Sequence, residues 1–359
     1  MSIFNLIKNI FRKVFPHKIP VMKAEEFKKW WEYFKKENKI DPDLIIMIDC
    51  FVLSKKFTKN SIYWNALAKK HIKYLVKYGV ENFKQTIERK HYFGEGNAKL
   101  LLPILNDKID IEIKDESIKK KYTFVDEKAS ENYHKFTFIL LNYVLNKKLD
   151  KYLDLISENS FGNPIYISYN NKKYSFSSLM SILETNIINK NLNLNKINQI
   201  LEIGAGSGRT CTSIIKVNDS IKYTICDIPP TLFIAQKNIQ SIFPNKRLFL
   251  FRDFENYSEI KDEFEKAEIK FITQDQLNYL PNKIFDLSIA IDCLHEMNKL
   301  QVENYFNNFD RLSNNLFFKS QVNQWAYFDN HKYNINNYPI KSNWKKILHE
   351  KSLIPNQYF

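Results

Sequence analysis

The sequence predicts an α/β fold in two parts: a mainly helical N-terminal region, residues 1–190, and a mostly parallel sheet with helices on both faces, residues 191–359. Three observations carry this expectation. From residue 199 onward, short apolar runs rich in Ile, Phe and Tyr alternate with amphipathic stretches, the pattern of right-handed βαβ units. Between 23 and about 150, apolar residues recur mostly at helical spacing. The polar stretch NKNLNLNKIN at 189–198 lies between the two patterns and reads as a connector.

The N-terminal 1–18 form an amphipathic helix pattern, with Ile3, Phe4, Ile7, Ile10, Phe11, Val14 and Phe15 on one face and Lys8, Arg12 and Lys13 toward the other. Lys8 and Arg12 interrupt any signal-peptide core, and no small-residue cleavage site follows. Two readings stay open: a helix lying on an anionic membrane surface, and one docked on its own domain or a partner subunit. Helices are expected at 23–39, 65–90 and 130–148. IYISY and KYSFS flank Asn170–Asn171, which predicts a β-hairpin within 162–176. Ser177 or Ser178 is expected to cap a helix running to about Asn189.

In the second part, strands are expected at Gln199–Ile203, Lys222–Cys226, Ile269–Thr273, Phe285–Ile291 and Leu316–Ser320. Helices are expected after the first strand through Lys216, then at 231–243 and 299–313. Residues 244–268 read as an insertion with a short strand (247–252) and an acidic helix (255–268).

Composition sets outer bounds. A chain of 359 residues, 44% of them hydrophobic and 15% aromatic, can bury a large core and is not a disordered protein. No apolar run approaches a membrane span. Cys50, Cys211, Cys226 and Cys293 are scattered, which argues against a zinc ribbon or a disulfide framework and fits a reducing cytosol. The net charge of +14 is uneven: residues 1–100 carry 21 basic and 10 acidic side chains, whereas 201–359 carry 19 and 18. The basic surplus therefore belongs to the helical region and not to the half where the chemical motifs lie. A base-gripping motif of the kind used on flipped bases is absent after the fourth strand of the sheet, so no nucleic-acid partner is expected.

The motif that carries chemistry is LEIGAGSGRT at 201–210. It follows an apolar strand and opens a helix, with Gly204, Gly206 and Gly208 where a tight turn must let a ligand approach the backbone. Glu202 lies just before the loop. Asp227, at the end of the next strand, is placed to accept both hydrogen bonds of a ribose diol.

This combination resembles the class I S-adenosylmethionine-dependent methyltransferases over about 195–325. The resemblance implies a Rossmann-like methyltransferase domain with S-adenosylmethionine as cofactor. It implies that Glu202, Gly204, Ala205, Gly206 and Gly208 form the cofactor loop, that Asp227 and Ile228 meet the ribose, and that Asp275 and Gln276 stand at the adenine. The loop from Asp292 would face the transferred methyl. CDIPPTLFIAQ (226–236), AIDCLHEM (290–297) and the GNP element at 162–164 are further similar to a bacterial family of sugar O-methyltransferases. That implies methyl transfer to a sugar hydroxyl, in surface-glycan synthesis, on a nucleotide-, phosphate- or lipid-linked acceptor. Methylation of another small molecule or of nucleic acid, and a methyltransferase-like binding scaffold without catalysis, are the alternatives.

His295 is the leading general base, as an imidazole titrating near neutrality, with Glu296 and Asp292 as further catalytic candidates. A helical loop would put Asp292 and Glu296 on one face, where they could hold a divalent metal; the simpler reading, which we follow, assigns no metal. Tyr133 and His134 from the helical region and Trp325 from the aromatic tail are substrate-binding candidates. Localisation is expected to be cytoplasmic, with peripheral membrane contact through 1–18 and homodimerisation as further expectations.

Overall fold

The computed structural model describes residues 21–54, 61–89, 122–321, 324–326, 331–333, 338–353 and 357–359. The amphipathic pattern at 1–18 lies outside the described residues.

Helix α1 (Ala24–Glu37) buries Phe27 and Trp31, four apart and so on one face. The Trp31 indole donates to Asp49 Oδ1 at 2.6 Å, tying α1 to α2 (Pro42–Leu53). Proline at the first position and the Asp41 carboxylate, accepting from Asp43 N at 2.9 Å, start α2. Helix α3 (Ile62–Tyr78) stops where Gly79 takes φ +76°, although the sequence reads as one helix to residue 90. A 3₁₀ turn (Val80–Asn82) and a wide π-type turn (Lys84–Glu88) follow instead.

Helices α4 (Glu127–Asn146) and α5 (Asp150–Leu155) lead to strands β1 (Ile167–Tyr169) and β2 (Lys172–Tyr174). Asn170 and Asn171 both have positive φ, the conformation a two-residue hairpin turn requires. Helix α6 (Phe176–Leu192) is capped by Ser175, whose side chain accepts from Ser178 N at 3.1 Å; the sequence had suggested a cap two or three residues later.

The sheet begins at β3 (Gln199–Ile203) and continues with α7 (Arg209–Val217), β4 (Lys222–Cys226), α8 (Thr231–Ile242), β5 (Leu248–Phe249), α9 (Lys261–Lys266) and β6 (Ile269–Ile272). It closes with β7 (Phe285–Ile291), α10 (Lys299–Leu312), β8 (Ser313–Gln321) and, past the small pair β9 (Gln324–Ala326) and β10 (His331–Tyr333), β11 (Gln357–Tyr358). The strand order is β11-β8-β7-β3-β4-β6-β5; six strands run parallel and β11 is antiparallel on the edge. This is the mostly parallel, Rossmann-like α/β sheet expected from the sequence. Chain direction reverses its lateral order at β3 and β7, and ligands bind where strand order switches, outside the carboxyl ends of the strands.

Apolar side chains cover both sheet faces. On one face Ile200, Tyr223, Ile225 and Leu287 share a core with Phe27, Trp31 and Phe83, so the N-terminal helices pack directly onto the sheet. On the other, Leu201, Ile203, Ile272 and Ala290 pack with Phe264, Phe306 and Phe309. Fully burying one such aromatic contributes about 1.5–3 kcal/mol. None of the four cysteines is in a disulfide. Among the described residues no helix is long and apolar enough to cross a membrane.

Candidate active site

The turn after β3 needs left-handed backbone three times in five residues: Gly204, Gly206 and Gly208 have φ of +67°, +61° and +79°. Two of these glycines do separate jobs. A Cβ on Gly204 would fall 2.5 Å from Cys293 Cβ, so this position lets the loop close against the chain leaving β7. A Cβ on Gly206 would meet nothing within 4 Å, and Gly206 lines a cavity at the carboxyl end of the sheet.

Asp227, ending β4, holds this loop by its side chain. One carboxylate oxygen accepts from Gly206 N at 2.8 Å and the other from Ile228 N at 2.7 Å. Each oxygen keeps a lone pair, and Asp227 and Ile228 both line the cavity. Burial pushes the Asp227 carboxyl up to about 7 against the pull of the two N–H groups. Glu202 sits behind the loop, buried, accepting from the Tyr223 hydroxyl at 2.9 Å; burial raises it to about 7 as well.

The loop after β7 forms the opposite wall. Asp292 has φ +56°, and its N–H donates to Lys319 O at 2.8 Å. The wholly buried Lys319 ammonium bridges Asp292 Oδ2 at 2.8 Å and Glu184 Oε1 at 2.7 Å. Glu184 in turn accepts from both Arg209 nitrogens, at 2.5 and 3.2 Å. Burial would raise Glu184, but Arg209 and Lys319 outweigh it and hold the carboxyl down at about 2. Asp292 Oδ1 is buried with no hydrogen-bond partner.

His295 follows on a 3₁₀ turn (Leu294–Glu296). Its Nδ1 lies 3.4 Å from Ser320 Oγ, which shares a 2.5 Å bond with the Tyr338 hydroxyl; its Nε2 lies 3.9 Å from Glu296 Oε1. Burial lowers the imidazole to about 4, which corrects the expectation of titration near neutrality. Burial, with Asp292 and Asp227 nearby, raises Glu296 to about 8. Because Asp292 is left-handed and outside the turn, the loop is not the helix that would have set Asp292 and Glu296 one turn apart. Among the described residues no three His, Cys, Asp or Glu side chains are grouped to hold a metal ion.

Several expected residues thus share one cavity: Glu202, Gly204, Ala205, Gly206, Asp227, Ile228, Asp292, His295 and Glu296. Gly208 stands behind it as the left-handed start of α7. Asp275 and Gln276 are not in its wall. Asp275 takes the Ser54 hydroxyl at the end of α2, and Gln276 is spent on Thr273 N at 3.0 Å and Arg252 O at 2.7 Å. Gln274, which accepts from the Tyr305 hydroxyl at 3.0 Å, lines the cavity in their place. His134 is fully buried in the helical region against the Tyr122 hydroxyl at 3.1 Å, and Tyr133 meets Phe176 edge-on; neither reaches the cavity. Trp325 lies on β9, but its side chain is outside the described residues.

Sequence reading missed Trp64 on α3, Glu88 on the π-type turn and Gln301 and Tyr305 on α10, all of which line the cavity. Trp64 and Glu88 come from far upstream, and only the Gly79 break hinted that the chain turns there.

No family model and no curated protein matches the chain. Among solved structures it is similar to mitomycin 7-O-methyltransferase MmcR, with 12% identity and a TM-score of 0.29 over 42% of this chain and 40% of that one. A StiE O-MT segment matches with 12% identity and a TM-score of 0.30 over 41% of this chain and 47% of its own. PigF with SAH matches with 16% identity and a TM-score of 0.28 over 42% and 41%. The chain thus spans less than half the length of each of these neighbours, and the functional reading rests on the cavity's own residues.

Proposed function

We propose that the chain is an S-adenosylmethionine-dependent O-methyltransferase acting on a sugar hydroxyl. The observation that carries this reading is that one cavity is walled by the glycine loop, by the Asp227 carboxylate and by His295. The residues fit the cofactor on three counts. The open side of Gly206 admits a ligand to the backbone, and the spare lone pairs of Asp227 suit a vicinal diol. The unpartnered Asp292 oxygen suits a cation, and Glu296 beside His295 adds to this above about pH 8, where it is ionised.

When bound, the cofactor supplies an electrophilic methyl on a sulfonium, which an aligned hydroxyl displaces in line. His295 is unprotonated above about pH 4 and can take the hydroxyl proton at Nε2. Glu296, 3.9 Å from that nitrogen, would balance the imidazolium once ionised, above about pH 8. For the acceptor, the Trp64 ring with the Gln321 amide offers an apolar face and a hydrogen-bonding group, a pairing that suits a sugar. The motif resemblance to sugar O-methyltransferases supports the same choice.

Isothermal titration with S-adenosylhomocysteine tests the cofactor assignment: wild type should bind and Asp227→Ala should not. No binding by wild type, or unchanged binding by the variant, overturns it. Methyl transfer across a panel of nucleotide-linked and free sugars then tests the acceptor; turnover confined to acceptors of another class would remove the sugar reading.

A further inference from the structure

Among the described residues, Glu88 is the carboxylate that the N-terminal region sends to the cavity wall, and nothing in the proposed reaction has used it. Its position is built with care. Lys84 N donates to Gly162 O at 2.9 Å, the Lys84 ammonium meets Glu158 Oε1 at 2.5 Å, and Asn163 Nδ2 donates to Asn82 Oδ1 at 3.0 Å. A Cβ on Gly162 would fall 2.4 Å from the Phe83 ring, so only glycine lets the two segments close. The 80–88 turn is thereby clamped onto 158–163, which includes Gly162 and Asn163 of the GNP element. The clamp delivers a Glu88 side chain only 5% exposed, with Oε2 accepting from the Ser207 hydroxyl at 3.1 Å.

Burial raises the Glu88 carboxyl; Lys84 opposes this while Glu158, which holds the Lys84 ammonium, adds to it. A buried carboxylate against the glycine loop is costly unless a cation comes to it. Two residues past Ser207, Arg209 lines the same cavity and stays charged, anchored by Glu184. The Glu88 carboxyl at Ser207 and the cationic Arg209 thus stand in one cavity wall, while Asp227 meets the loop at Gly206. Opposite charges so placed match one chemical class, the zwitterion of an α-amino acid.

We propose that Glu88 binds the α-ammonium of the cofactor's amino-acid end, with Arg209 facing its α-carboxylate. The inference rests on the S-adenosylmethionine reading above, and binding measurements separate the two. Wild type is titrated with S-adenosylhomocysteine, with its deaminated analogue S-adenosyl-4-thiobutyrate, and with methylthioadenosine, which lacks the amino-acid end. Loss of one charge-assisted hydrogen bond corresponds to about ten- to hundredfold in affinity. Wild type should bind the deaminated analogue weaker than S-adenosylhomocysteine by that factor. Glu88→Gln should weaken S-adenosylhomocysteine by a similar factor and leave methylthioadenosine unchanged. Equal wild-type affinity for S-adenosylhomocysteine and the deaminated analogue overturns the assignment, whether or not the variant folds. So does a Glu88→Gln variant that loses neither ligand or loses both alike. Wild type that binds none of the three overturns the cofactor reading itself.

Discussion

Four ionisable side chains at the cavity have proton affinities set by burial more than by partners: Asp227 and Glu202 at about 7, Glu296 at about 8 and His295 at about 4. Glu296 is uncharged below pH 8 and charged above it, so its attraction for a sulfonium grows with pH. S-adenosylmethionine should therefore gain affinity relative to uncharged-sulfur S-adenosylhomocysteine between pH 7 and 9, by a fewfold. Paired titrations across that range check this, and Glu296→Gln should flatten the trend. His295→Ala should keep affinity for S-adenosylhomocysteine within about threefold while turnover falls by about 10²–10⁴; single-turnover assays distinguish the two effects. At this scale Glu202, the glycines and Asp227 were legible in the sequence, because a strand, its loop and the next strand place them locally. Glu88 and Trp64 were not, because tertiary packing brings them from more than 110 positions upstream. Gln274 was missed by one residue: the chain after β6 turns at once, and the turn's own N–H at Thr273 claims the Gln276 side chain.

Among the secondary elements, the glycine loop and strand β8 carry the sharpest consequences. Gly204→Ala and Gly206→Ala put the same methyl on left-handed backbone, yet should differ. At 204 the methyl meets Cys293, so the loop must move and the melting temperature should drop by several degrees. At 206 the space is open, so only backbone strain of about 1 kcal/mol applies, while ligand affinity should fall because the methyl stands in the cavity. Thermal melts with and without S-adenosylhomocysteine compare them. In β8, Lys319→Met would leave Asp292 and Glu184 without their shared ammonium, and breaking such a buried pair costs about 3–5 kcal/mol by chemical denaturation. The helix and strand order was readable from periodicity, since each element needs one apolar stripe or run to cover the sheet. The long helix expected to residue 90 was not, because the amphipathic pattern continues past Gly79 while the left-handed glycine ends the hydrogen-bond ladder.

For the molecule as a whole, the cavity's acids tie stability to pH. Folded, Asp227, Glu202 and Glu296 keep their protons to about pH 7–8; unfolded, they release them near 4, so the fold binds more protons in between. Their contribution is present below about pH 4 and lost as pH rises through 7–8. His295 acts in the opposite sense, but only below about 6.5, where the unfolded chain takes up a proton that the fold refuses. From pH 5 to 7 the three carboxyls outweigh His295, and the ligand-free melting temperature should fall by several degrees; above 7 Lys270, which burial lowers to about 7, opposes Glu296 and the curve should level. A curve rising between pH 5 and 7 would contradict the burial of the carboxyls. The shared core of Phe27, Trp31 and Phe83 with the sheet was hidden from sequence reading, since an apolar stripe does not say what covers it. The Lys319–Glu184 bridge joins positions 135 apart in the chain. During synthesis the wall of the cavity cannot set until β8 has emerged, so a chain stalled before it holds every glycine of the loop and no finished pocket.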